Sequence, residues 1–379
     1  MSKKSVERAD FKEFKRLVVK VGTSSLTYET GKLNLAAMEI LVRQLADLHN
    51  QGREVILVTS GAIGAGSGKL GLRRPPRTIP EKQACAAVGQ GVLLHMYEKF
   101  LAEYGITAGQ VLLTREDFSV RRRFLNARNT LTSLLQFGVV PIINENDTVA
   151  VDEIKLGDND HLAALVAGLM DADLLLMLTD TDGLYTADPR NDPEARLIHW
   201  VDEITPDVEK LAGTAGSRHG TGGMVTKLQA ARIATHSGVV TVIARSSVEN
   251  VMRRVLDGEE VGTVFQAVPR RMEMRKQWIA YGASVAGKIT VDAGAAQALR
   301  EKGKSLLPSG VVAVEGRFGM GQMVSIVDPA GTEIARGLTN YSAAEIERIK
   351  GCKTAAVPEI LGYRHFDEIV HRNNMVLKL

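Results

Sequence analysis

The sequence predicts an α/β protein: a three-layer sandwich around a largely parallel sheet, joined to a second, small β-rich domain. Over residues 1–265, β-branched runs alternate with stretches of helical periodicity, the pattern of a parallel sheet covered on both faces. Glycine-rich or acidic turns follow the strands, where such sheets bind ligands. After a charged, irregular stretch at 266–286, the pattern changes to short strands punctuated by Gly and Pro over 287–379. A length of 379 residues also favours two domains over one.

Residues 16–21 (RLVVKV) read as a buried strand ending at Gly22. Leu35, Met38, Leu41, Val42, Leu45 and Leu48 then recur at helical spacing, with Asn34 as N-cap and Gly52 as the stop. Residues 54–59 (EVILVT) form the next strand and run into Ser60-Gly61, which completes a βαβ unit. Further strands are expected at 139–143, 173–178 and 239–243, with helices near 83–103, 121–137, 159–170 and 224–237. Beyond the linker come a helix at 293–302 and strands at 311–314, 322–327, 333–337 and 375–377.

Composition excludes several classes. Hydrophobic residues make up 45% and charged residues 24%, which suits a chain with a sizeable core and not a disordered one. With 47 Lys and Arg against 44 Asp and Glu, the net charge of +3 gives no general attraction to nucleic acid or anionic membrane. Cys85 and Cys352 are too few for a disulfide framework or a cysteine-based zinc site. The longest apolar-rich stretch, 162–178, contains Asp171 and Asp173, so no membrane span is expected. The charged start lacks the apolar segment of a signal peptide, and a cytoplasmic protein is expected.

The chemistry should lie in the turns. Lys20 interrupts an apolar strand just before Gly22-Thr23-Ser24-Ser25. A buried ammonium needs a counter-charge or an anionic ligand, unless it snorkels from an edge strand. Ser60-Gly61-Ala62-Ile63-Gly64-Ala65-Gly66 offers either a phosphate-binding turn or close helix packing. Gly66-x-Gly68-x-x-Gly71 matches a dinucleotide fingerprint but begins too far past the strand, and no P-loop spacing is present. Asn144-Glu145-Asn146-Asp147 at one strand end and Gly157-Asp158-Asn159-Asp160-His161 at a helix start are denser in polar groups than turns require. Together they suit a zwitterionic ligand, or the positioning of lysines and a divalent cation. Thr179-Asp180 follows another strand. Gly220-Thr221-Gly222-Gly223-Met224-Val225-Thr226-Lys227 opens a helix with a lysine near its positive end, which a polyanion would explain and a flexible loop would not require.

In this order, VVKVGTSS, VTSGAIGAG, FLNARNTL, PIINENDTV, IKLGDND, LMLTDTDGLYTADPR and GTGGMVTKLQAA resemble the amino-acid kinase family over nearly all of residues 16–265. Within it they are similar to the branch that phosphorylates the side-chain carboxylate of L-glutamate, the first step of proline biosynthesis. GKSLLPSGVVAVEGRFGMGQMVSI and ARGLTNYS resemble a PUA domain. The resemblance implies that Lys20 and Lys227 contact the phosphoryl group in flight and that Asp160 holds both. It implies that Ser60, Asp147 and Asn159 bind glutamate, with Asn144 as a helper. ATP would meet Lys20, Thr179, Asp180, Thr221, Gly222, Gly223, Met224, Val225, Thr226 and Lys227. It further implies Mg²⁺ held mainly by the phosphates, proline as a feedback inhibitor at the glutamate pocket, a homo-oligomer, and a hand-off of the labile acyl phosphate to a reductase. The alternatives are a kinase for N-acetylglutamate or aspartate, or an RNA-binding protein acting through the PUA-like domain. The small charge of +2 over 286–379 argues against a strong RNA site.

Overall fold

A computed structural model describes residues 6–28, 32–72, 74–150, 159–213, 223–268, 276, 279 and 285–378. They fall into two compact units, each with its own sheet and core.

The first unit is built on strands β1 (Arg16–Val21), β2 (Glu54–Thr59), β3 (Ala108–Leu113), β4 (Val140–Glu145), β5 (Leu174–Thr179), β6 (Trp200–Val201), β7 (Val240–Arg245) and β8 (Thr263–Phe265). Their order in the sheet is β3-β4-β2-β1-β5-β7-β8-β6, and only the β7–β8 pairing is antiparallel. The helices up to residue 265 are α1 (Thr23–Leu26), α2 (Leu35–Asn50), α3 (Ala62–Lys69), α4 (Ile79–Ala102), α5 (Arg115–Ser119), α6 (Arg121–Gln136), α7 (Asn159–Leu169), α8 (Pro206–Gly213), α9 (Met224–His236) and α10 (Val251–Leu256), of which residues 118–123 in α5 and α6 group with the second unit.

Strand alternation sets the layers, because successive side chains point to opposite faces. Leu17, Val19 and Val21 join Leu57, Leu176 and Leu178 in a core with Met38, Leu45, Leu93 and Tyr97 of α2 and α4. The alternate residues Val18 and Lys20 face the other way, toward the layer of α7 and α9. β1 lies between β2 and β5 at the centre of the sheet, with Lys20 in register with Val58 and Met177. Lys20 is therefore not the edge-strand lysine that snorkelling requires.

Neighbouring strands diverge at β1: β2 and β4 continue to one side, β5 and β7 to the other. The carboxyl ends of strands beside such a switch are where open α/β sheets bind ligands. β4, β5 and β7 run one to two residues beyond the expected ends, because pairing such as Leu113 with Glu145 and Thr179 with Arg245 continues past the apolar run. β3 was not anticipated. Its half-buried AGQVLL sequence lacks the dense β-branched run of the central strands.

α3 and α4 cross at glycines. A Cβ on Gly66 would lie 1.7 Å from the Cys85 carbonyl oxygen, and one on Gly89 1.7 Å from that of Ala62. Gly66 thus serves backbone-to-backbone helix packing, the simpler of the two readings of its motif.

The second unit has a five-stranded sheet in the order β10-β9-β11-β12-β13, with β9 (Gly287–Val291), β10 (Val311–Gly316), β11 (Met323–Val327), β12 (Glu333–Leu338) and β13 (Met375–Leu377). Its pairings are antiparallel except for β9 with β11. Its separate core includes Ile289, Val324, Ile326, Tyr341, Ile346 and Val370. Among the described residues, no helix is long and apolar enough to cross a membrane.

Candidate active site

Three charged side chains from distant segments meet on the α7–α9 side of the sheet. Lys20 Nζ lies 2.5 Å from Asp160 Oδ1, and Lys227 Nζ lies 3.3 Å from Asp160 Oδ2. All three side chains are less than a tenth exposed. Asp160 stands in the first turn of α7, where the helix dipole favours an anion. Gly223 caps α9, and Lys227 follows one turn later. The Thr226 hydroxyl shares its one hydrogen between the Gly223 carbonyl at 2.9 Å and Asp160 Oδ2 at 3.1 Å. Burial pushes the Asp160 carboxyl up. The Lys20 and Lys227 ammonium groups, with hydrogen bonds from Lys20 and Thr226, outweigh that and hold it below the usual carboxylate range. It is an anion at neutral pH and fixes both lysines.

Beside this triad runs a buried amide chain. Asn159 Nδ2 donates to Ser60 Oγ at 3.0 Å and to Asn144 Oδ1 at 3.1 Å. Asn144 Nδ2 donates to Gln90 Oε1 at 3.2 Å, and Gln90 Nε2 donates to the Glu145 carbonyl at 3.0 Å. All four side chains belong to buried residues. Asn159 Oδ1 is buried and accepts no hydrogen bond among the described residues. A buried polar atom left without a partner points to a ligand or water that completes it. Asp147 lies half-buried in the turn after β4, and burial pushes its carboxyl up to about 6.

On the other side of Lys227 opens a pocket of about 260 Å³. Thr179, Asp180, Tyr185, Gly223, Met224 and Lys227 line it. The loop after β5 is pinned from β7: Arg245 Nε and Nη2 donate to the two Asp182 oxygens at 2.6 and 2.9 Å, and the Tyr185 hydroxyl donates to Asp182 at 3.0 Å. Those hydrogen bonds hold the Asp182 carboxyl low.

The structure therefore gathers Lys20, Asp160 and Lys227 at one point and joins Ser60, Asn144 and Asn159 in one network. It sets Thr179, Asp180, Gly223, Met224 and Lys227 around one pocket. Val225 is 44% exposed and is not part of the pocket lining, and Thr226 turns to Asp160. Among the described residues no hydrogen bond ties Asp147 to Ser60 or Asn159. Thr221 and Gly222 lie outside the described residues, as does most of the 266–286 stretch. The sequence reading missed Gln90 and the Asp182–Arg245 pair. A glutamine inside ACAAVGQG gives no local signal, although its place beside the α3–α4 glycine crossing could have raised it. Arg245 ends a strand, as Lys20 nearly does, and the strand-end rule applied to both.

The family model described as the amino acid kinase family matches residues 15–246, and that of the PUA domain matches residues 287–361. The chain is 60% identical over 370 residues to the glutamate 5-kinase of Moorella thermoacetica, covering 98% of each. It is 56% identical to the glutamate 5-kinase of Carboxydothermus hydrogenoformans, covering 98% of this chain and 99% of that one. It is 50% identical to that of Geobacter sp. strain M21, covering 97% and 98%. With a matched model spanning more than half its length and relatives this similar from end to end, the chain belongs to the amino acid kinase family.

Proposed function

We propose that the chain transfers the γ-phosphoryl group of ATP to the side-chain carboxylate of L-glutamate, giving L-glutamyl 5-phosphate, the first step of proline biosynthesis. The observation that carries this reading is the convergence of Lys20 and Lys227 on the single buried carboxylate of Asp160. That point lies between a pocket for the nucleotide and an amide network for the amino acid. Glutamate 5-kinases of near full-length similarity support the choice of acceptor.

In this reading the glutamate carboxylate is already a nucleophile, so no protein base is required. The γ-phosphorus passes from the leaving oxygen of ADP to the carboxylate oxygen, and the bond to ADP breaks as the new one forms. Catalysis then rests on alignment and on charge stabilisation. Lys20 and Lys227 neutralise the oxygens of the transferring group, and Asp160 keeps both ammonium groups in place before substrate arrives. Preorganised charges of this kind are usually the largest single contribution to such a barrier change. Thr179, Asp180 and the 221–227 loop hold the nucleotide. Ser60, Asn159 and Asp147 hold glutamate, with the Asp147 carboxylate toward the α-ammonium. Mg²⁺ would be held mainly by the nucleotide phosphates, whose charge it would help to neutralise. The division into a kinase domain (1–265), a linker (266–286) and a PUA-like domain (287–379) is part of the same reading. So are a cytoplasmic setting, a homo-oligomer and inhibition by proline at the glutamate pocket.

The test is a hydroxamate assay with ATP and Mg²⁺. Glutamate should yield hydroxamate, N-acetylglutamate and aspartate little, and proline should raise the glutamate KM. Turnover with either other acceptor at the glutamate rate would replace the reading.

A further inference from the structure

We propose that Gln90 is a positioning residue that, together with the Glu145 backbone, holds Asn144 in one orientation and so fixes which atom of Asn159 faces the acceptor amino acid. It rests on the reading of Ser60 and Asn159 as the glutamate site, and it adds to Asp147 a second acceptor for an unsubstituted α-ammonium group, held in orientation from outside that site.

The polarity of the chain is fixed at both ends by backbone groups, each of which has only one possible role. The Glu145 carbonyl can only accept, so the group Gln90 presents to it at 3.0 Å must be its NH₂. Gln90 Oε1 is then left to accept from Asn144 Nδ2 at 3.2 Å. The opposite atom of Asn144, Oδ1, meets the Glu145 N–H at 2.9 Å, a group that can only donate. The two ends agree on one orientation of Asn144. With Asn144 Oδ1 an acceptor, Asn159 must turn its NH₂ toward it at 3.1 Å, and its second hydrogen goes to Ser60 Oγ at 3.0 Å. Both amide hydrogens of Asn159 are thereby committed, and its Oδ1 is presented as a buried acceptor without a partner among the described residues. Ser60, whose oxygen already accepts from Asn159, keeps its own hydrogen to donate.

The site thus offers one acceptor and one donor, which suit an ammonium and a carboxylate of the same amino acid. An Asn159 turned the other way would present NH₂ to the ammonium, a donor against a donor. Gln90 sits on α4, held close to α3 by the Gly66–Gly89 crossing, and is 7% exposed. It supports the selectivity without touching substrate.

The experiment compares Gln90→Met, which keeps the volume and removes both hydrogen bonds, with Asn159→Ala in the full chain. For Gln90→Met, the glutamate KM should rise roughly tenfold, the scale of a misoriented hydrogen bond to a charged group. The ATP KM should stay unchanged, and the effect should fall on KM more than on kcat. Glutarate, which lacks the ammonium group, should lose far less affinity as a competitive inhibitor. Asn159→Ala should raise the glutamate KM at least as much. An unchanged glutamate KM in Gln90→Met beside a raised one in Asn159→Ala overturns the role of Gln90. Equal weakening of glutamate and glutarate overturns the polarity argument. No change in either variant overturns the site reading and the proposal with it. Gln90→Leu, equally unable to hydrogen-bond, replaces Gln90→Met if that variant does not fold.

Discussion

Asp147 and Asp160 are carboxylates a short stretch apart whose surroundings move them in opposite directions. Burial raises Asp147 to about 6, while two ammonium groups hold Asp160 low. If the Asp147 carboxylate meets the α-ammonium of glutamate, kcat/KM for glutamate falls about tenfold per pH unit below about pH 6. Asp147→Asn should have a raised glutamate KM and lack that limb. A wild-type pH profile in the variant would remove Asp147 from the site. For stability the signs differ. Asp160, with its folded pKa depressed, contributes stability that is present above the unfolded value of about 4 and is lost as pH falls below it. Asp147, with its pKa raised, favours the fold at low pH, and that contribution declines as pH rises from about 4 to about 6. Asp160→Asn leaves two buried ammonium groups without their shared anion and should destabilise the fold by about 3 kcal/mol, read by denaturant unfolding at neutral pH. At this scale the sequence revealed which residues were out of place, a lysine in a valine strand and acids at a helix start. That Lys20 and Lys227 share the Asp160 carboxylate was implied by the family resemblance and not by the residues themselves, because their separation in the chain carries no record of their meeting in space. Nor could the sequence reveal Gln90, whose role exists only through the hydrogen bonds around it.

The elements were legible where local physics decides them. The periodic apolar face and Asn34 predicted α2, and the Asn34 side chain does accept from the Ala37 N–H at 3.1 Å. Asn34→Ala should cost about 1 kcal/mol in unfolding free energy, as the loss of an N-cap usually does. Elements were less legible where pairing decides them. Asn144, Glu145 and Arg245 look like turn residues, yet they belong to strands because a neighbouring strand continues beside them. The expected start of α4 near residue 83 fell short of its capping box at Thr78 and Glu81, since Pro80 masks the helical pattern. The glycine motif at 60–66 was ambiguous until the helix crossing was seen. Gly89→Ala would force α3 and α4 apart and should destabilise by about 3 kcal/mol, with loss of glutamate affinity because Gln90 moves with the helix. A variant as stable as the parent would show that the crossing is looser than its contacts imply.

In the whole molecule, the central position of β1 makes the chemistry possible. Strands leave it in both directions, so its carboxyl end lies between the Ser60–Asn159 network on one side and the Thr179–Asp180 pocket on the other. Lys20 comes from that strand, Asp160 from a helix covering it, and Lys227 from the helix beside it. The parallel α/β class was readable from alternation alone, and so was the rule that ligands gather at strand ends. The strand order was not readable, because register between distant strands depends on packing and not on local pattern. The most direct test of the convergence is steady-state and single-turnover kinetics of Lys227→Ala with saturating ATP. The account predicts that kcat falls by roughly 10²-fold or more with a much smaller change in the glutamate KM, the signature of a charge used in the transition state. Normal turnover in that variant would contradict it.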